Sequence, residues 1–269
     1  MPAIYTHDIF GKDVYRKLSP ELKHIVKKNK RLYRIGLQGP DIFYFYRPYY
    51  KNRMNRLAQS IHDHSGACFF CQAVVKYMER EDEALLAYLL GFCCHYALDI
   101  TCHPCIEKFK ENSGFSHSEI EAEMDRKYMI REGKDPFTFR PGTFLKPTRN
   151  ACQVISGAIG HITEKQVCKA INDMRKYTDF LVCGSKGKRQ VLWKLLELAG
   201  CRKSVGGHII PEIMDERYET LMEELDSLYE EGVDRAVRLL NNLYSCMREE
   251  GKLDPDFKKD FMGRESLGF

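Results

Sequence analysis

The chain has 269 residues, 43% hydrophobic and 30% charged, which is ordinary globular usage with ample length for a buried core. Lys and Arg exceed Asp and Glu by 42 − 38 = 4, a balance too mild, with no long basic run, to argue for a nucleic-acid partner. The 11 cysteines are odd in number, in a chain too large to need disulfide staples, and read as reduced thiols.

In chain order, the opening segment MPAIYTHDIFGKDVY carries His7 and lacks a basic region followed by an apolar run. With no export signal in view, the expectation is a cytoplasmic protein. Ser19-Pro20-Glu21-Leu22 is a helix start, Ser19 capping and Pro20 at the first helical position, and this helix should end near Asn29. The basic residues between Lys27 and Arg34 read as a solvated helix end. A turn over 36–40 leads to Asp41, placed to cap a short helix, and to an aromatic run from Phe43 to Tyr50 that suits a pocket wall or core packing. Residues 53–78 read as one or two helices bearing His62 and His64. Asp82-Glu83-Ala84 opens a helix apolar almost all round, which belongs at the centre of a bundle. Its apolar stretch, 84–100, is interrupted by His95 and Asp99 and is too short and polar for a membrane span. Pro104 is expected to close it.

Ser116 or Ser118 caps the next helix, expected to run to about Arg131. Residues 133–147 are a Pro- and Gly-rich connector that covers the mouth of a site or bridges helices. Further helices are expected over 150–159, 163–181, 188–198 and 211–250, with a loosely held tail after Gly251. Gly-rich loops at 184–187 and 200–208 carry no phosphate-binding fingerprint. His24, His161 and His208 read as surface residues. No alternating strand pattern is present. The expected fold is all-α: a multi-helix bundle with a multinuclear metal site in its core, one domain over 1–269, its motifs within 1–131 and a helical remainder over 148–250.

The chemistry-bearing stretch runs from His95 to Asp125. His95, Asp99 and His103 recur every four residues and share a helix face; His117, Glu121 and Asp125 repeat the step. A charged aspartate and a histidine inside an apolar helix are costly unless paired or metal-bound, and imidazoles with carboxylates are ligands that zinc accepts. The bland alternative is a set of satisfied core histidines with capping acids. Further ligand candidates are His7, Asp41, His62 and His64. The CxxC pairs Cys68/Cys71 and Cys102/Cys105 have zinc-site spacing but read as core thiols.

Thr6-His7, Gly39-Pro40-Asp41-Ile42-Phe43, Ile61-His62, Gly91-x3-His95-x3-Asp99-x3-His103-Pro104 and His117-x3-Glu121 occur in this order over roughly the first half of the chain. In them the sequence resembles the zinc-dependent bacterial phospholipase C family, whose fold is shared with the S1/P1 nucleases. The resemblance implies an all-α bundle holding two or three zinc ions. His103, His117 and Glu121 would hold one; His62, His95 and Asp99 a second, near Asp41; His7 a third, bridged by Asp99. Asp41 would ligate metal or act as the base for the attacking water, and His64 stands as the alternative to His62. Extracellular members begin with a zinc-binding tryptophan and place a histidine after the proline. Here Met1-Pro2 precedes His7, and His103 precedes Pro104.

The implied function is a zinc-dependent phosphodiester hydrolase of phospholipase C type. The alternatives are a nuclease or phosphomonoesterase on the same scaffold, or a non-catalytic, metal-stabilised binding protein. The expected partner is a phosphoester such as a phospholipid, with any membrane contact peripheral.

Overall fold

The computed structural model describes residues 4–198, 200, 205–249 and 251–266; Met1-Pro2, residues 201–204 of the glycine-rich loop and Glu250 lie outside them. The described residues form eleven α-helices: α1 (Ile4–Lys17), α2 (Pro20–Lys28), α3 (Lys30–Gly36), α4 (Arg53–Asp63), α5 (Gly66–Met78), α6 (Glu83–Ser113), α7 (His117–Arg131), α8 (Arg149–Ile159), α9 (Glu164–Leu181), α10 (Lys186–Leu198) and α11 (Tyr218–Met247). Short 3-10 turns at Gly39–Phe43, Pro141–Phe144, Gly206–His208 and Pro255–Lys258 join them. No strand occurs among the described residues, so the protein is all-α, as its periodicity predicts.

The helix starts follow side-chain chemistry. Ser19, Asn52, Asp82, Ser116, Thr148 and Thr163 each accept a hydrogen bond from a first-turn backbone N–H. Those bonds satisfy donors a helix end would otherwise leave unpaired. Ser116, not Ser118, starts α7, reinforced by Glu119 reaching back to the Ser116 N–H.

α6 is the axis of the fold, packed chiefly between α3 and α11. It is long and apolar enough to cross a membrane by length and composition, but that window is entirely buried within the fold. Its partner α3 comes unusually close. A Cβ at Gly91 would fall 2.1 Å from the Tyr33 carbonyl oxygen, so glycine lets the two backbones touch and fixes the rotation of α6 that aims His95.

Four expectations are corrected. Pro104 does not end α6, which runs nine residues further, to Ser113. Proline costs the bond to the Ile100 carbonyl. Gly263 of the C-terminal segment lies against that carbonyl and the proline ring, a Cβ there falling 2.8 Å and 2.7 Å from them, so the break is sheltered by packing.

Within the described residues, the tail up to 266 is not loose. Phe257 and Phe261 are fully buried, and the Gly66 and Phe261 N–H groups donate to the Lys259 and His62 carbonyls at 2.9 and 3.2 Å. Aromatic burial outweighs the polar composition that suggested fraying.

Asp41 caps no helix. It sits inside the 3-10 turn Gly39–Phe43, with its carboxylate turned to His62. The last long helix begins at Tyr218 rather than 211, because Asp215 accepts from the Arg217 N–H and pairs with its guanidinium, a turn that competes with helix.

Candidate metal centre

α1, the Gly39–Phe43 turn, α4, α6 and α7 converge on Asp99 of α6. His95 and His103 lie one turn to either side, as their spacing requires. Asp99 Oδ2 is 3.1 Å from His95 Nε2, and its Oδ1 is 3.5 Å from His7 Nε2 and 3.6 Å from His103 Nε2. Asp41 Oδ1 is 3.0 Å from His62 Nε2, and Oδ2 is 3.8 Å from His95 Nε2. Glu121 Oε1 lies 3.2 Å from His117 Nε2 and 4.0 Å from His103 Nε2.

Among the described residues, three sets thus present one ligand atom each within 4.8 Å of one another: His7, His95 and Asp99; Asp41, His62 and His95; and His103, His117 and Glu121. None contains a cysteine. Cys68 and Cys105 are half-buried, Cys71 is exposed and Cys102 is buried, none of them in a disulfide.

The histidines are held from behind. The Nδ1 atoms of His62, His103 and His117 each lie 2.8 Å from an oxygen: the Ala58 carbonyl, the Phe261 carbonyl and Glu107 Oε1. An N–H donated there leaves the Nε2 lone pair facing the centre, the arrangement that metal-ligating imidazoles use. The buried Nε2 of His95, although close to Asp99 and Asp41, makes a well-angled hydrogen bond to neither. Such an atom costs about 1–3 kcal/mol when left unmet, and a cation would meet it. The imidazole and carboxylate donors suit zinc.

Electrostatics point the same way. Burial pushes the Asp99 carboxyl up, but the His95 and His103 imidazoles more than offset it, leaving it well below the usual carboxylate range. Asp41 is likewise held low by His95 and His62 against burial. Burial, then the neighbouring His95, lowers His7 to about 4, so His7 is a neutral imidazole at neutral pH. His95 differs from His7: Asp99 and Asp41 overcome burial and raise it to about 9. Its proton sits where a cation would.

The chain matches the family described as zinc dependent phospholipase C over residues 6–154, that is 154 − 5 = 149 of 269 residues. The chain belongs to the zinc-dependent phospholipase C family. Neither the curated proteins nor the solved structures offer a match. Membership makes this a metal-dependent phosphoester hydrolase by family, with zinc as its family cofactor, and the matched span contains every residue of the three sets.

The site has a cleft of about 700 Å³ beside it, lined by Asp41, His62, Asp99, His103, His117 and Glu121. His62 is in this group. His64 is not; it is exposed, its Nδ1 2.6 Å from the Ser60 carbonyl. Gly39 explains its place in the family motif. Its φ is +49°, and a Cβ there would sit 2.2 Å from His95 Cδ2, so only glycine lets the Asp41 turn press on the His95 ring.

Asp125 continues the second ladder but turns elsewhere, accepting from the Tyr5 N–H at 3.2 Å and from the Thr6 N–H and hydroxyl at 2.8 Å. It anchors the start of α1 and hence His7. His208, expected at the surface, lines the cleft, because the Gly206–His208 turn packs on α7. Tyr44, within the aromatic run expected to wall a pocket or pack the core, lines the cleft, stacked on His62 with centroids 5.4 Å apart; sequence reasoning missed Lys110, Met262 and Arg264, also in the cleft wall. Glu107 was findable: it is the next step of four after His103, hidden by the belief that Pro104 ends the helix.

Proposed function

We propose that this protein cleaves a phosphodiester in the manner of a phospholipase C, within the cleft that borders Asp99. The observation carrying this reading is the convergence of three imidazole–carboxylate sets around one buried carboxylate, at the wall of a cavity large enough for a phospholipid headgroup. Zinc held there would lower the pKa of the attacking water and offset charge on the phosphoester oxygens.

A single nitrogen of His95 serves one ion, so the two sets that share it compete for it. Assigned to Asp41 and His62, it leaves His7 and Asp99 for the remaining ion. The expectation is two firmly held zinc ions and a third held more weakly.

Asp41, ionised and at the cleft wall, is positioned to accept the proton of the attacking water or to hold that water in line. Lys110 and Arg264 bring positive charge to the same cleft, tethered by Glu107 and Asp260, and would orient the phosphate. Tyr44 offers a ring face to the substrate. The same face could stack a base, which makes single-stranded nucleic acid the second substrate to test.

The test is metal analysis of the purified protein together with turnover of phosphatidylcholine, single-stranded nucleic acid, a p-nitrophenyl phosphodiester and a p-nitrophenyl phosphomonoester. Phosphatidylcholine and the simple diester should be cleaved, with turnover lost on chelation and restored by zinc. Cleavage confined to nucleic acid or to monoesters would displace the phospholipase reading, and less than one zinc per chain would remove the multinuclear site.

A further inference from the structure

We propose that the outer face of α10 docks on an anionic lipid surface. The helix has two unlike sides. Leu192 and Leu196 are buried against Leu181, Cys183 and Ile209 in a small apolar cluster of their own. On the other side Val191, Leu195 and Leu198 are 59%, 53% and 86% exposed.

At about 100° per residue these three fall within an arc of about 60°, with Lys188 and Lys194 within about 40° of its two edges. Both lysines are exposed, as is Lys186. The half-exposed ring of Phe180, at the end of α9, extends the patch, with the Lys188 ammonium 5.9 Å from its centroid. Residues 186–198 carry Lys186, Lys188, Arg189 and Lys194 against one acid, Glu197.

The charge pattern selects the occupant. A partner protein covering an apolar stripe would have to meet or desolvate a lysine on each side of it. A bilayer interface takes both, the apolar stripe entering the acyl boundary while the lysines reach the headgroup phosphates. Anionic headgroups add attraction for each lysine near the surface. The helix is also tied to the cleft: Ile209, on which Leu192 and Leu196 pack, directly follows His208 in the cleft wall.

The experiment is vesicle sedimentation of the full chain, comparing phosphatidylcholine alone with a phosphatidylcholine–phosphatidylserine mixture at low and high salt. The wild type should pellet with the mixed vesicles and be released by salt. The double variant Lys188→Gln/Lys194→Gln should bind about 30-fold more weakly, and the triple variant Val191→Ser/Leu195→Ser/Leu198→Ser about 100-fold or more weakly. All five side chains are exposed, so both variants should keep wild-type circular dichroism, zinc content and turnover of a soluble phosphodiester.

Binding is read without turnover, so a failed docking and a failed hydrolase assignment are separate results. Absence of vesicle binding by the wild type overturns the proposal, as does binding that neither variant weakens. Dimerisation in sedimentation velocity, abolished by the triple variant with vesicles left unbound, would assign the face to a second copy of the chain instead.

Discussion

Replacing Asp99 with asparagine keeps the side-chain shape and removes one negative charge from the point where three imidazoles meet. His95, His7 and His103 present Nε2 atoms 3.1, 3.5 and 3.6 Å from that carboxylate. At about 4 Å and an effective dielectric near 20, one pair of unit charges is worth about 4 kcal/mol. That corresponds to about a thousandfold in a binding constant, and a divalent ion beside Asp99 should lose at least this much. Asparagine adds a second fault, because its NH2 group only donates and turns a donor toward the centre where a cation needs an acceptor. Zinc affinity should be measured by competition with a chelating dye, stoichiometry by metal analysis after gel filtration, and rate on a p-nitrophenyl phosphodiester. The Asp99→Asn protein should lose at least one zinc equivalent and bind the remainder about a thousandfold more weakly, with activity falling at least as far. If it purified with the wild-type zinc content and turned over within about twofold of wild type, Asp99 would hold no metal and the centre would need another organising residue.

Two further outcomes follow from single contacts. Gly39→Ala forces a left-handed backbone on alanine, at about 1–2 kcal/mol, and drives a methyl group into the His95 ring; zinc content and activity should both collapse, whereas full zinc occupancy would show that the turn can move away. Asp125→Asn leaves an NH2 group facing the Tyr5 N–H, so one buried donor loses its acceptor at about 1–3 kcal/mol; the melting temperature should fall by roughly 3–10 °C, and an unchanged melting curve would mean that α1 is held by other contacts.

Features that depend on neighbours within about one helical turn could be read directly from the order of residues. Helix starts are legible because capping is local: Ser19, Asp82 and Ser116 each meet an N–H two or three residues on. The ladders His95–Asp99–His103 and His117–Glu121 are legible because four residues make roughly one turn. The zinc chemistry follows from their residue types. Tertiary structure alone decided which of those side chains meet. His62 and His64 lie two residues apart, yet only the rotation of α4 against the tail turns His62 inward. Asp125 has the same spacing as Glu121, but the start of α1 claims its carboxylate. Pro104 carries a local signal to stop, and the C-terminal segment, more than 150 residues away, overrides it by covering the exposed carbonyl. The same segment supplies the Phe261 carbonyl that orients His103. Helix periodicity tells which residues share a face. What that face meets depends on contacts between segments far apart in the chain, where burial of apolar surface outweighs local preference.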